Sequence, residues 1–79
     1  SRGQKVQQIQ EQLNTIGKVY TAIGNVNVDG IYGEDTQRAV RNFQKIFDLP
    51  QTGIIDFATW YKISQIYVGI TRIAEGIPR

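Results

Sequence analysis

One loop is written twice in this chain, and the repetition restricts the possible folds more than any single motif does. A step of 23 positions carries Gly30 to Gly53, Thr36 to Thr59 and Val40 to Ile63. In the first copy, Val28 to Thr36, Gly30 and Gly33 can take positive φ at little steric cost. The chain can therefore turn tightly before Glu34 and Asp35 open a helix whose positive end favours acids. In the second copy Thr52-Gly53 makes the turn, and Asp56, in the register of Gly33, is placed to cap a helix starting at Phe57. Thr36 and Thr59 fall at the third helical position, where a hydroxyl can bond the local backbone while its methyl turns inward. The pattern predicts a duplicated turn-helix unit.

Ahead of the repeat, Val6, Ile9, Leu13 and Ile16 recur with a helical period, Gln7, Gln8, Glu11 and Gln12 take the other side, and Gly17 stands as the C-cap. Lys18 to Asn27 has no such period, which predicts a long ordered loop with a short extended piece over Val26 to Val28. A second helix is expected over Glu34 to Phe47. Thr36, Ala39, Val40, Phe43, Ile46 and Phe47 share one arc of it, and Arg38, Arg41 and Lys45 the opposite one. Asp48, tolerant of left-handed backbone, and Pro50, which holds Leu49 extended, end it.

The third helix has two apolar arcs. Thr59, Trp60, Ile63, Ile66, Tyr67 and Ile70 are expected to face the core, and Phe57, Tyr61 and Val68 to face outward, toward a ligand, a parent protein or a second copy. Gly76 and Pro78 have the order expected just past a helix end, and Gly69 is a weak point before it.

At 79 residues the chain is one domain with a modest core. It has no Cys and no His, so a disulfide framework and a thiolate or imidazole metal site are excluded, and no cofactor is implied. Nine Lys and Arg against seven Asp and Glu leave +2, too little to argue for nucleic acid. Arg38, Arg41 and Lys45 read as a solvated helix face, and the link between the second and third helices is too long for a DNA-binding helix-turn-helix. No apolar run approaches membrane length. With no initiator Met and no basic-apolar leader at Ser1-Arg2-Gly3, the chain reads as a piece of a longer protein.

Catalysis would fall to carboxylates, Asp29, Glu34 and Asp35 near one loop and Asp56 at the other. A glycosidase needs two of them across a cleft, one with a raised pKa; turn and cap residues are ordinarily solvated and ionised, so the chain reads as no enzyme. The aromatic residues are more suggestive, because a ring with a polar edge can lie on the apolar face of a sugar. Helical phase assigns Trp60 and Tyr67 to the core. Tyr32, at a loop tip, and Tyr61, off the core arc, are the surface candidates.

Asp29-Gly30-Ile31-Tyr32-Gly33, Thr36, Ala39-Val40-Arg41, Phe43-Gln44, Leu49-Pro50, Thr52-Gly53-Ile54-Ile55-Asp56 and Ala58-Thr59-Trp60 resemble the peptidoglycan-binding domain of bacterial and phage cell-wall hydrolases and spore cortex-lytic enzymes. Val6, Ile9-Gln10 and Leu13 match its first helix, so the likeness covers about residues 4 to 68 of a single domain, with 69 to 79 as a helix extension or linker. The resemblance implies an all-α fold, a three-helix bundle with pseudo-twofold loop-helix halves. It also implies a non-catalytic module that holds an attached hydrolase or other wall protein on murein, outside the cell at the wall or spore cortex. Its partners would be a glycan strand or stem peptide and the attached catalytic domain, with no nucleic acid and no membrane. Details of the third helix and of the loop around Tyr20 are similar to versions from spore-forming Firmicutes.

The family often has Pro at the position of Glu34, Gly at that of Asp48, and a shorter first loop, departures that bear on loop shape. It offers no short ligand signature, so the candidate contacts, Asp29, Gly30, Tyr32, Phe57 and Tyr61, rest on exposure. A related helical unit in the propeptides of matrix metalloproteases packs on protein, which makes docking on the parent enzyme, through Phe57, Tyr61 and Val68, the rival function.

Overall fold

A computed structural model describes residues 3–74. They form three helices, α1 (Gln4–Gly17), α2 (Glu34–Ile46) and α3 (Phe57–Ala74), with a 3₁₀ turn, Thr21–Ile23, in the long first connection. The fold is all-α, and each of the last two helices is preceded by one copy of the repeated loop. The helix end expected at Gly76 and Pro78 lies outside the described residues.

The helical periods place the core where expected for α1 and α2. Ile9, Leu13 and Ile16 of α1 meet Ala39, Val40 and Phe43 of α2, Ile63 of α3, and Ile23 and Val26 of the first connection. Phe43 is the largest fully buried side chain; Phe47 packs on it at 4.6 Å between ring centroids, and Tyr20 meets Phe47 edge-on at 5.1 Å. Each such buried apolar side chain contributes roughly 1.5–3 kcal/mol. Those contributions must offset the ordering of a long connection.

That connection is held by side-chain amides. The Asn14 carboxamide donates to the Val26 carbonyl at 2.9 Å and accepts from the Val26 N–H at 2.9 Å, pairing with one residue as a neighbouring strand would. No strand forms over residues 26–28; the extended piece expected there is this single side-chain pairing. Asn42 donates to the Ile23 carbonyl, and the Asn27 N–H reaches the Asp35 carboxylate at 3.0 Å.

Two glycines differ from expectation. Gly17 is not a left-handed cap: helix α1 runs through it, and a Cβ there would lie 3.0 Å from the Gly24 carbonyl oxygen, so its role is to let the connection pass close by. Gly33 sits at φ −102 as the N-cap of α2, a conformation open to any residue. The two loops instead share one left-handed glycine each, Gly30 at φ 75 and Gly53 at φ 73, matched by the 23-residue step. Asp48 takes φ 62 as expected, and the Leu49 N–H then returns to the Gln44 carbonyl at 2.7 Å, closing the end of α2.

Candidate functional site

Each repeated loop is wrapped around one buried glutamine. Gln10 of α1 donates its amide N–H groups among Asp29 Oδ1 (3.1 Å), the Ile31 carbonyl (2.9 Å) and Thr36 Oγ1 (3.0 Å), while its Oε1 accepts from the Asp29 and Gly30 N–H groups at 3.0 and 2.8 Å. Gln44 of α2 repeats this: Nε2 faces Thr52 Oγ1, the Ile54 carbonyl and Thr59 Oγ1, and Oε1 accepts from the Gly53 N–H at 2.9 Å. Thr36 and Thr59 are thus acceptors for a preceding helix rather than local backbone caps. A step of 34 carries Ile9, Gln10 and Leu13 to Phe43, Gln44 and Phe47. It exceeds the loop step of 23 because the first connection is longer than the second.

These latches account for two of the candidate contacts. Asp29 is exposed, yet its carboxylate is occupied by the Ile31 N–H at 3.0 Å and by Gln10, which hold its pKa below the usual carboxylate value. Gly30 is buried; its carbonyl accepts from the Gly3 N–H at 2.9 Å, and a Cβ would meet the Gly3 carbonyl oxygen at 3.2 Å. Asp56 caps α3 through the Thr59 N–H at 2.9 Å, and that bond lowers its pKa as well. Both shifts run opposite to the raised pKa a general acid needs.

Tyr32 is half-buried and ties the two loops together, its hydroxyl donating to the Gly53 carbonyl at 2.5 Å. Burial raises its phenol pKa, an effect opposed by the nearby Arg41 guanidinium. Phe57 and Tyr61 are exposed, at 76% and 52% of full accessibility, and Val68 joins them on the outer face as its helical phase predicts.

Trp60 differs from its core assignment: it is 46% exposed. At about 100° per residue it stands between the buried arc of Thr59 and Ile63 and the outer arc of Phe57 and Tyr61, and a ring of that size at the edge of an arc overhangs it. Phe57 lies beside both neighbours, 6.2 Å from Trp60 and stacked on Tyr61 at 6.0 Å. The three rings form one aromatic surface at the start of α3.

Trp60 also belongs to a groove of about 610 Å³ between α1 and α3. Val6, Ile9, Ile54, Ile55 and Trp60 supply apolar surface; Gln8, Gln12, Gln37, Ser64 and Tyr32 supply neutral polar groups; Lys5 is the one charged residue of this lining among the described residues. Both loops reach it, the first through Tyr32 and the second through Ile54 and Ile55. Of the candidate contacts only Tyr32 lines the groove. Phe57 and Tyr61 continue from Trp60 outside it, and Asp29 and Gly30 shape the loop that carries Tyr32.

A family model described as "Putative peptidoglycan binding domain" matches residues 2–63, which takes in α1, both loops, α2 and the turn of α3 that bears Trp60. The chain belongs to the peptidoglycan-binding domain family. A search of the curated proteins and one of the solved structures returned no significant match. Peptidoglycan-binding domains are typically non-catalytic, and their ligand places them at the cell wall. Among the described residues no helix is long and apolar enough to cross a membrane, and no three potential metal ligands cluster.

In this peptidoglycan-binding domain the places of Gln10, Gln44 and Trp60 do not follow from hydropathy and helical phase. A signal existed for the glutamines: in both Ile9-Gln10 and Phe43-Gln44 an amide directly follows a core residue and stands three before another, Leu13 or Phe47.

Proposed function

We propose that this domain binds murein noncovalently and without catalysis, and that it holds an attached cell-wall hydrolase or other wall protein on the bacterial wall or spore cortex. The reading is carried by one observation within a chain of this family: an exposed tryptophan forming the wall of a groove whose other described lining residues are apolar or uncharged polar side chains and a single lysine. Sugar rings present apolar faces to such a ring and hydroxyls and amides to its surroundings. Trp60, Tyr32, Phe57 and Tyr61 are the contacts we assign, with Asp29 and Gly30 fixing the loop. Residues of about 4–68 form the binding unit. A single small module of this kind binds weakly, and its effect is to raise the local concentration of a tethered enzyme on an insoluble polymer. A Trp60→Ala, Tyr61→Ala variant that keeps its helical spectrum should pellet less with purified sacculi; pelleting equal to the parent would refute the assignment of this face.

A second reading, docking on the parent enzyme, is supported by the outward stripe of Phe57, Tyr61 and Val68. It predicts that Val68→Glu loosens the full-length protein's domains while sparing wall binding. Unchanged inter-domain mobility in NMR relaxation would remove its support.

A further inference from the structure

Resting on the murein reading, we infer that the groove between α1 and α3 takes the glycan strand through its N-acetylated amino sugars, with the Gln12 carboxamide reading the acetamido group. Three buried glutamine oxygens invite comparison. Those of Gln10 and Gln44 accept from loop N–H groups, whereas Gln12 Oε1, in a side chain that lines the groove, is buried with no hydrogen-bond partner among the described residues. An unpaired buried acceptor is unfavourable and native structures rarely keep one without reason. Rotation of the terminal carboxamide toward the groove presents the oxygen to a ligand N–H and the amide nitrogen to a ligand carbonyl or hydroxyl. An acetamido group carries both an N–H and a carbonyl, and its methyl fits the apolar surface of Ile9, Ile54 and Ile55.

Charge separates the glycan from the stem peptide. Among the described residues the groove lining includes one cation, Lys5, and no Arg, Asp or Glu, while its polar groups are amides and hydroxyls. A peptide bearing several carboxylates would be desolvated there against a single ammonium, an uncompensated cost that a neutral sugar chain avoids. Trp60 supplies the stacking surface that an amino sugar uses and a flexible peptide does not require.

The test is an NMR titration of the 79-residue chain with a tetramer of N-acetylglucosamine, with the glucosamine tetramer lacking acetyl groups, and with a free stem peptide. Only the first should shift the Gln12 side-chain amide, the Trp60 indole N–H and Ser64. A Gln12→Leu variant should bind the acetylated tetramer roughly fivefold to tenfold more weakly, the loss of about one hydrogen bond. The same variant should unfold at higher urea, because the unpaired oxygen is gone; a merely structural glutamine would not move the two readouts in opposite directions. Equal shifts with both tetramers, Gln12 and Trp60 shifts with the stem peptide, or unimpaired binding by Gln12→Leu would overturn the inference while leaving sacculus binding in place. Failure of the parent chain to pellet with sacculi would overturn it together with the murein reading.

Discussion

Replacement of Gln44 by leucine removes a side chain that is fully buried and makes four hydrogen bonds, to Thr52, Gly53, Ile54 and Thr59. Thr52 and Ile54 are exposed and can turn to water; Gly53 and Thr59 are buried and cannot. Each buried group left unpaired costs about 1–3 kcal/mol. Leucine has nearly the same volume and gains some apolar burial, so the net loss should be roughly 2–4 kcal/mol. A domain of this size has in total about 4–12 kcal/mol to lose. Urea unfolding followed by far-ultraviolet ellipticity should show the midpoint fall by roughly 2 M or more, given a slope of about 1 kcal/mol/M. Gln10→Leu should behave alike, since it strands the buried Gly30 N–H and Thr36 hydroxyl. The exposed Gln7→Leu should change stability by less than about 0.5 kcal/mol. Adding Thr59→Val to Gln44→Leu should cost less than the two single losses combined, because the stranded hydroxyl goes with its partner. Midpoints unchanged in both glutamine variants would refute the idea that these amides hold the loops.

Gly30→Ala and Gly53→Ala should each lose about 1–2 kcal/mol from left-handed backbone, as read by urea midpoints. Gly30→Ala should be the worse, since its methyl meets the Gly3 backbone, whereas at Gly53 it meets the movable Arg41 side chain. Asp56→Ala should cost roughly 0.5–2 kcal/mol through loss of the α3 cap, and thermal melts would detect it. The depressed pKa values of Asp29 and Asp56 contribute stability that is present above their unfolded values and lost as pH falls through the folded ones. Urea midpoints should therefore hold from about pH 7 to 5 and decline below about pH 4, less so in Asp29→Asn, Asp56→Asn. Tyr32 acts at the other end: its raised pKa means that stability falls as pH rises above about 10, the unfolded value, and Tyr32→Phe should lack that component.

Helical periodicity made most of the fold legible, since Leu13, Ile16, Val40, Phe43 and Ile63 can be buried only if their helices stand where they do. Gly30, Gly53 and Asp48 were legible as turn and cap positions, because few residues tolerate that backbone, whereas Gly17 and Gly33 take ordinary backbone and the positive φ of Gly24 had no signal in the local pattern. The buried glutamines were hidden because hydropathy assigns an amide to solvent, and only a partner reaching back from another element, as Gly30 and Gly53 do, changes that. Trp60 was misplaced because a helical wheel gives direction and not reach: at the edge of an arc, a large ring covers its neighbours and remains open to solvent. Tyr32 read as a loop tip because its partner, the Gly53 carbonyl, belongs to the other copy of the repeat.

Cosedimentation of the purified chain with sacculi stripped of teichoic acid, at low and at high salt and with cellulose as control, tests the central claim most directly. Binding through stacked rings and neutral amides, in a groove with one charge among the described residues, predicts pelleting with sacculi alone, and equally at both salt concentrations. A chain that stays in solution at either salt, or that pellets equally with cellulose, would contradict it.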